Sequence, residues 1–202
     1  MPKLCKIALT GGPCGGKTIL LERAKAELEA RGFTVLALDE IVTGMFRMGF
    51  WRGPRINNDL FVETTARLQY ERERVIEGTA ARMSGDDPVI LLCDRGTPDA
   101  RAYHDDPTKF EGWLASMGTS FAERRDSYDL VVHLVTAADG AREAYNLNNA
   151  ARFETAEEAI EVDRRVFAQW EGHPNIVVIE NGADGFEGKL ARAISAITSI
   201  LK

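Results

Sequence analysis

A lysine and a threonine close a glycine-rich segment at a spacing that suits phosphate binding. Residues 11–18 read GGPCGGKT and satisfy the pattern Gly-x-x-x-x-Gly-Lys-Thr. Glycines let backbone N–H groups approach phosphates closely, and the helix that follows adds its positive dipole end. Lys17 in this pattern reaches the β- and γ-phosphates, and Thr18 ligates Mg²⁺. We expect ATP or GTP to bind across Gly11, Gly12, Pro13, Cys14, Gly15, Gly16, Lys17 and Thr18.

Acidic residues end two further apolar runs. Asp94 follows residues 89–93, and an acid after such a run suits a strand that brings a carboxylate to Mg²⁺ beside Thr18. The alternative for Asp94 is a helix-capping role. Asp39 and Glu40 end the second run, where either acts as general base or as a ligand of the phosphoryl acceptor. A plain strand-terminating turn is the alternative there, and the pattern does not choose between the two acids.

Three arginines are candidates to neutralise the negative charge on a phosphoryl group during its transfer. Arg95 directly follows Asp94 and is expected to point into the cleft. Arg142 and Arg152 lie in a predicted lid at about residues 138–153. On one continuous helix these two would stand roughly 15 Å apart, so both reach one site only if the lid bends. Structural salt bridges are the competing interpretation for Arg142 and Arg152.

A second basic segment mixes arginines with aromatic residues. We call residues 43–58 the acceptor flap because this composition suits an anionic or planar acceptor. Its side chains of interest are Arg47, Arg52, Arg55, Phe46, Phe50 and Trp51. An apolar flap with solvated arginines is an equal alternative.

Five short apolar runs must position these groups. They occupy residues 6–10, 34–39, 88–94, 130–136 and 175–180. Continuous rather than alternating apolar runs indicate strands buried on both faces, as in parallel sheets. The pattern predicts an α/β fold with a doubly wound five-stranded parallel sheet, the fold of P-loop nucleoside-triphosphate hydrolases and kinases. Ligands of such sheets bind beyond the carboxyl ends of the strands.

Helix signals separate the predicted strands. Helices are predicted over residues 17–31, 57–83, 156–170 and 186–201, while residues 98–126 mix turns with short helices. Gly32 is expected to end the first helix. Thr155 with Glu158, and Asp184 with Glu187, have the spacing of capping boxes before the last two predicted helices.

Composition favours certain classes of protein over others. With 202 residues, we expect a single domain spanning residues 1–202. The net charge of −6 argues against a nucleic-acid partner, and no apolar run has membrane-spanning length. Scattered Cys5, Cys14 and Cys93 suit a reducing cytoplasm, with Cys5 and Cys93 expected to be buried. We interpret the histidines as structural: His104, His133 and His173.

These motifs together resemble the P-loop AAA-type domain family that is related to the NadR kinase domain and to animal translocation-defect GTP-binding proteins. The matching stretches are residues 9–18, 93–96 with Ala102 and Tyr103, 148–154, and 170–174 through Asn181. The resemblance implies a nucleoside-kinase-like fold that binds ATP or GTP with Mg²⁺, and Arg152 as the lid arginine. The acidic-Arg-Ser signature of deoxynucleoside kinases appears here as Asp94-Arg95-Gly96.

The motifs favour a kinase that phosphorylates a small molecule. The alternative is a nucleotide-dependent switch with slow hydrolysis and a protein partner, although the guanine-reading Asn-Lys-x-Asp motif is missing from the sequence. A mechanical ATPase is disfavoured because 202 residues leave no room for a second helical domain. The acceptor, the preference for ATP or GTP, and the oligomeric state are not encoded in any pattern that we can read.

Overall fold

The strands form one parallel sheet in the order β2-β3-β1-β4-β5. The structure is a computed structural model that describes residues 4–85, 87–141, 143 and 155–201. The strands are β1 (Leu4–Thr10), β2 (Thr34–Leu38), β3 (Val89–Asp94), β4 (Leu130–Leu134) and β5 (Ile176–Ile179). The predicted sheet is confirmed, and each strand lies within two residues of the predicted bounds.

Helices connect successive strands. They are α1 (Lys17–Ala30), α2 (Ile41–Arg47), α3 (Asn58–Ala80), α4 (Pro107–Ser116), α5 (Phe121–Asp126), α6 (Ala156–Ala168) and α7 (Gly185–Ser199), with a 3₁₀ helix at Thr97–Tyr103. The mixed segment between β3 and β4 therefore folds as short helices, as its sequence predicts. Gly32, at φ +90°, follows the end of α1, which confirms its capping position.

Apolar side chains cover both faces of the sheet. On one face, Leu20 and Leu28 of α1 and Leu190 of α7 pack against β1, β3 and β4. On the other face, the buried indole of Trp170, just after α6, packs with Tyr128. Burial on both faces explains why the strands are continuously apolar. Cys5 and Cys93 lie in these strands and are buried, as predicted.

Of the two predicted capping boxes, one forms. The Thr155 side chain accepts from the Glu158 backbone N–H, and Glu158 accepts in return. The prediction at Asp184 is wrong, because its carboxylate pairs with Arg192 on the next turns of α7 instead of capping the helix. Glu187 likewise turns away and accepts from Arg23 of α1 at 2.9 Å. Both acids therefore bind arginine side chains instead of accepting from the first backbone N–H groups of α7.

No helix in the described ranges is both long enough and apolar enough to cross a lipid bilayer.

Candidate active site

The phosphate loop joins β1 to α1 at the carboxyl edge of the sheet. Gly11 has φ +127° and Gly16 has φ +95°, a region in which side chains are strained. A Cβ atom on Gly11 would also stand 2.1 Å from the Leu134 carbonyl oxygen of β4. The pattern therefore needs glycine at Gly11 for two reasons, its backbone conformation and the close approach of the neighbouring strand.

Neighbouring elements hold the loop from outside. The backbone N–H of Gly12 donates to Asp163 Oδ1 of α6 at 2.5 Å, and Thr136 Oγ1 donates to the Pro13 carbonyl at 2.5 Å. Asp163 is itself held by His133 of β4 at 3.3 Å. Helix α6 and the end of β4 thus fix the loop, and His133 has the structural role expected of it.

Lys17 is buried at the first position of α1. Its ammonium Nζ donates to the carbonyl oxygens of Gly11 at 3.0 Å and Gly12 at 2.7 Å. Burial lowers the pKa of Lys17 to about 8, and the nearby Arg95 guanidinium lowers it as well. An anion bound at the loop would stabilise the charged form of this ammonium.

Thr18 and Asp94 meet beside the loop. Thr18 Oγ1 donates to Asp94 Oδ2 at 2.9 Å, although the residues are 76 positions apart. Asp94 Oδ1 is buried, and it has no hydrogen-bond partner in the part of the chain that the structure describes. Burial raises the pKa of Asp94 because its charged form loses water. A hydroxyl beside an unsatisfied buried carboxylate oxygen fits Mg²⁺, which prefers oxygen ligands.

The structure separates the two acids at the end of β2. The Asp39 side chain is 76% exposed and pairs with Arg72 of α3 outside the cleft. The Glu40 side chain is 25% exposed, lines the cleft and accepts from Arg95 Nε at 3.1 Å. Burial would raise the pKa of Glu40, but Arg95 and Lys17 together bring that pKa below its ordinary value. Glu40 therefore enters the cleft as a carboxylate, and Asp39 stays outside it.

Arg95 lies inside the cleft, as its position after Asp94 predicts. Its backbone has φ +75°, which is rare for a residue with a side chain. Besides Glu40, its guanidinium donates to the Gly11 carbonyl at 3.3 Å. The Gln69 side chain of α3 donates to the Arg95 carbonyl at 3.0 Å and holds this backbone turn. Arg95 thus bridges the phosphate loop and the acid that ends β2.

Gly96 differs from the serine of the deoxynucleoside kinase signature for a steric reason. A Cβ atom at this position would stand 2.7 Å from the Trp170 ring and 2.8 Å from the Tyr128 hydroxyl. Real Cβ contacts are not this short. The packing of Trp170 against β3 therefore requires glycine after Arg95.

Sequence reasoning missed Asp99 on the 3₁₀ helix. This carboxylate is buried, and its Oδ1 accepts from Thr10 Oγ1 at 2.7 Å and from Trp170 Nε1 at 2.6 Å. Its Oδ2 stands 3.8 Å from Arg95 Nη1. The only local signal is an acid shortly after Asp94, in a segment that otherwise reads as turns.

A single cavity of about 400 Å³ extends from the phosphate loop past Glu40, Arg95 and Asp99. Apolar side chains of α2, the acceptor flap and α3 also line it. They are Ile41, Val42, Phe46, Trp51, Phe61 and Val62. Phe46 and Trp51 stack with ring centroids 4.0 Å apart, and Arg52 lies over the Phe61 ring at 4.5 Å. Three of the flap residues singled out from the sequence, Phe46, Trp51 and Arg52, therefore line this cavity.

The other predicted residues are either outside the described part of the chain or away from the cavity. Arg142 and Arg152 are outside the described residues, as is most of the predicted lid. His104 contacts Asp59 at 3.0 Å, and His173 contacts the Tyr128 carbonyl at 2.8 Å, both away from the cavity. The structure thus brings together Lys17, Thr18, Glu40, Asp94 and Arg95.

Comparison with known proteins identifies relatives of this arrangement. A family model described as an AAA domain matches residues 6–187. The thymidylate kinase from Ehrlichia chaffeensis has a similar structure, with a TM-score of 0.62 over 100% of each chain and 14% sequence identity. At that identity the likeness shows the shared P-loop kinase fold alone. No curated protein matches the chain significantly.

Proposed function

Because this chain belongs to the AAA domain family, we propose that it is a P-loop kinase that transfers the γ-phosphoryl group of ATP or GTP to a small acceptor. The observation that carries the proposal is the continuity of the cavity. The phosphate loop and the apolar side chains of the acceptor flap line the same cavity. Hydrolysis needs space only for water beyond the phosphates, whereas transfer needs a compartment of this kind for the acceptor.

In this proposal the whole of residues 1–202 is one domain. The acceptor flap at about residues 43–58 contacts the acceptor, and the lid at about residues 138–153 covers the phosphates. Arg142 and Arg152 of that lid neutralise charge on the transferring group. A relationship to the NadR kinase domain and to the translocation-defect proteins is part of the same proposal.

In this proposal the phosphate loop binds the donor nucleotide, and Thr18 and Asp94 supply oxygen ligands for its Mg²⁺. Backbone N–H groups within residues 14–18 bind the phosphates. The Lys17 ammonium exchanges its two carbonyl partners for phosphate oxygens. Thr18 and Asp94 hold Mg²⁺. When bound, Mg²⁺ neutralises charge on the β- and γ-phosphates. Asp94 Oδ1 supports this assignment because it is buried without a partner in the described chain.

The acceptor end is served by Glu40 and Arg95. The acceptor oxygen attacks the γ-phosphorus, its proton passes to Glu40, and the nucleoside diphosphate leaves. Glu40, whose pKa lies below its ordinary value, is ionised at neutral pH and so has a carboxylate oxygen to take that proton. Arg95 fixes Glu40 by the 3.1 Å hydrogen bond and lies next to the loop, where it contacts developing negative charge.

A direct transfer assay tests the proposal. The purified protein is incubated with Mg²⁺, ATP or GTP, and a panel of nucleosides, sugars and amino-alcohols, and products are followed by mass spectrometry. We expect one acceptor to gain the mass of a phosphoryl group as the nucleoside diphosphate appears. Slow hydrolysis with phosphate on no acceptor would contradict the kinase and support the nucleotide-dependent switch.

Glu40 and Asp39 form a matched pair for this assay. We expect Glu40→Gln to lower kcat about a hundredfold, because the amide cannot take the acceptor proton. Asp39→Asn changes an adjacent carboxylate that is exposed outside the cleft, and its kcat should stay within about twofold of the wild type. Steady-state kinetics of both variants measures the difference. Equal losses in the two variants would remove Glu40 from its role as base.

A further inference from the structure

Helix α6 contacts the phosphate loop at Gly12. A Cβ atom on Gly12 would stand 2.8 Å from both Cβ and Oδ1 of Asp163, which is closer than real Cβ contacts. The pattern Gly-x-x-x-x-Gly-Lys-Thr does not require glycine at this second position. Glycine there lets α6 approach the loop closely enough to place a carboxylate against its backbone.

One peptide unit of the loop is hydrogen-bonded at both of its ends. Its N–H group, from Gly12, donates to Asp163 Oδ1 at 2.5 Å. Its carbonyl group, from Gly11, accepts from Lys17 Nζ at 3.0 Å and from Arg95 Nη1 at 3.3 Å. A carboxylate at the N–H end and two cations at the carbonyl end are aligned with the peptide dipole, so each contact strengthens the other.

This peptide unit needs an external partner to keep its orientation. It joins two glycines, and glycine has the widest choice of backbone angles. Rotation of the peptide plane would turn the Gly11 carbonyl away from Lys17 and Arg95. The same rotation would break the hydrogen bond from Gly12 to Asp163, so this bond opposes it.

The Asp163 carboxylate is itself held in place. Its side chain is 11% exposed, and Oδ2 contacts His133 Nε2 of β4 at 3.3 Å, which directs Oδ1 to the loop. Burial would raise the pKa of Asp163, but His133, the Gly12 N–H and Lys17 bring that pKa below its ordinary value. Asp163 therefore meets the loop as an oriented, ionised acceptor.

We propose that Asp163 is a positioning residue for the phosphate site: by accepting from the Gly12 N–H, it keeps the Gly11 carbonyl directed at Lys17 and Arg95. The inference rests on the proposed function. In the nucleotide complex Lys17 moves to the phosphates, whereas Arg95 keeps its bond to the carbonyl. Asp163 thus contributes to nucleotide affinity through the shape of the loop, and to transfer through Arg95.

Two substitutions of Asp163 test the effect on affinity. Each variant is titrated by calorimetry with Mg²⁺ and the β,γ-imido analogue of ATP or of GTP. Asp163→Ala removes the acceptor, and we expect about tenfold weaker binding. In Asp163→Asn the amide oxygen can accept from Gly12 while the NH₂ group faces His133, so affinity should stay within about threefold. Wild-type affinity in Asp163→Ala, or equal losses in both variants, would overturn the inference.

Arg95→Ala provides a second readout, in the transfer assay at saturating nucleotide. Asp163→Ala should lower kcat about tenfold in the otherwise wild-type chain. In the Arg95→Ala background its effect should be less than about twofold, because the Gly11 carbonyl no longer has this guanidinium to position. A purely structural role of Asp163 predicts the same loss in both backgrounds, and that result would overturn the inference.

The Gly12 amide proton gives a readout that needs no variant of Asp163 to fold. In the wild-type protein we expect this proton to exchange slowly with solvent, both with and without the nucleotide analogue. The reason is that the bond to Asp163 persists when Lys17 moves to the phosphates. Exchange as fast as that of an exposed loop amide would overturn the inference.

Glu161→Ala is the matched control. Its carboxylate lies two positions before Asp163 on α6, is 63% exposed and stands 3.9 Å from Arg164. We expect nucleotide affinity within about twofold of the wild type. Failure of the proposed kinase would appear in the wild-type protein, as absence of product or of nucleotide binding. Failure of this inference would appear instead as unchanged nucleotide affinity in Asp163→Ala.

Discussion

Replacing Lys17 with alanine is expected to lower the rate of phosphoryl transfer about a thousandfold. The ammonium lies at the first position of α1 and is hydrogen-bonded to the Gly11 and Gly12 carbonyls, next to the phosphates of a bound nucleotide. No other described side chain has this position in the loop. The transfer assay, run at saturating nucleotide, measures the loss directly.

The fold of the Lys17→Ala variant should persist. Burial lowers the pKa of Lys17 to about 8, below the ordinary 10.5, so holding its charge in the folded protein is unfavourable. Removing that charge relieves this cost and offsets the two lost hydrogen bonds. Lys25→Ala is the control, because Lys25 lies on the same helix with its side chain partly exposed and 3.8 Å from Glu29. Residual transfer within about tenfold of the wild type would contradict the role of Lys17.

Glu73→Gln is expected to destabilise the fold by about 3 kcal/mol. Glu73 of α3 is fully buried and accepts from Lys6 Nζ, Gln69 Nε2 and the Tyr128 hydroxyl, each at 2.7 Å. Lys6 is also buried, within β1, and burial lowers its pKa, but Glu73 and Glu77 bring that pKa above its ordinary value. Loss of the Glu73 charge leaves Glu77, whose side chain is 30% exposed, as the carboxylate that pairs with the Lys6 ammonium among the described residues.

Thermal unfolding measures this loss. For a chain of this size, about 3 kcal/mol corresponds to a fall in Tm of roughly 6–12 °C. Glu71→Gln is the control, because that exposed carboxylate of α3 pairs with Arg74 at the surface; its effect should stay within about 0.5 kcal/mol. Adding Lys6→Met to Glu73→Gln removes the poorly paired ammonium and should restore part of the stability. A Tm unchanged by Glu73→Gln would show that the network does not stabilise the fold.

The hydrogen bonds around Glu73 also extend to the candidate active site. Gln69 contacts both Glu73 and the Arg95 carbonyl, so α3 connects a buried ion pair on β1 with the strained turn that carries Arg95. The Tyr128 hydroxyl extends the contact by accepting from the Thr97 backbone N–H. The backbone turn that directs Arg95 into the cleft is therefore held by residues far from it in sequence.

Local patterns were sufficient for the strands and for the phosphate loop. Each strand is a short continuous apolar run, and its neighbours along the chain supply the whole signal. The spacing of residues alone did not predict which helices are capped. Thr155 has an acidic partner three residues on and caps α6, whereas Asp184 has the same spacing but finds Arg192. Whether an acid or hydroxyl caps its helix therefore depends on which other side chains the fold brings close to it.

The choice between Asp39 and Glu40 shows the same limit. Both acids follow β2, and their directions depend on where α2 begins, since Glu40 is the residue before its first turn. Arg72 then pairs with Asp39 and Arg95 with Glu40. Neither arginine is near β2 in sequence. Asp99 could not be predicted for a similar reason, because Thr10 and Trp170 contact it only in the folded chain.

The parallel α/β sheet, the glycine loop with Lys17 and Thr18, and the nearby Asp94 and Arg95 could all be predicted from the sequence. These features depend on residues that are adjacent along the chain and on strand periodicity. Three other features could be found only in the folded chain: Glu40 lines the cavity, Asp99 has an oxygen without a hydrogen-bond partner among the described residues, and Glu73 pairs with Lys6. These contacts join distant segments, and burial gives them their strength, so their chemistry appears only after packing removes water.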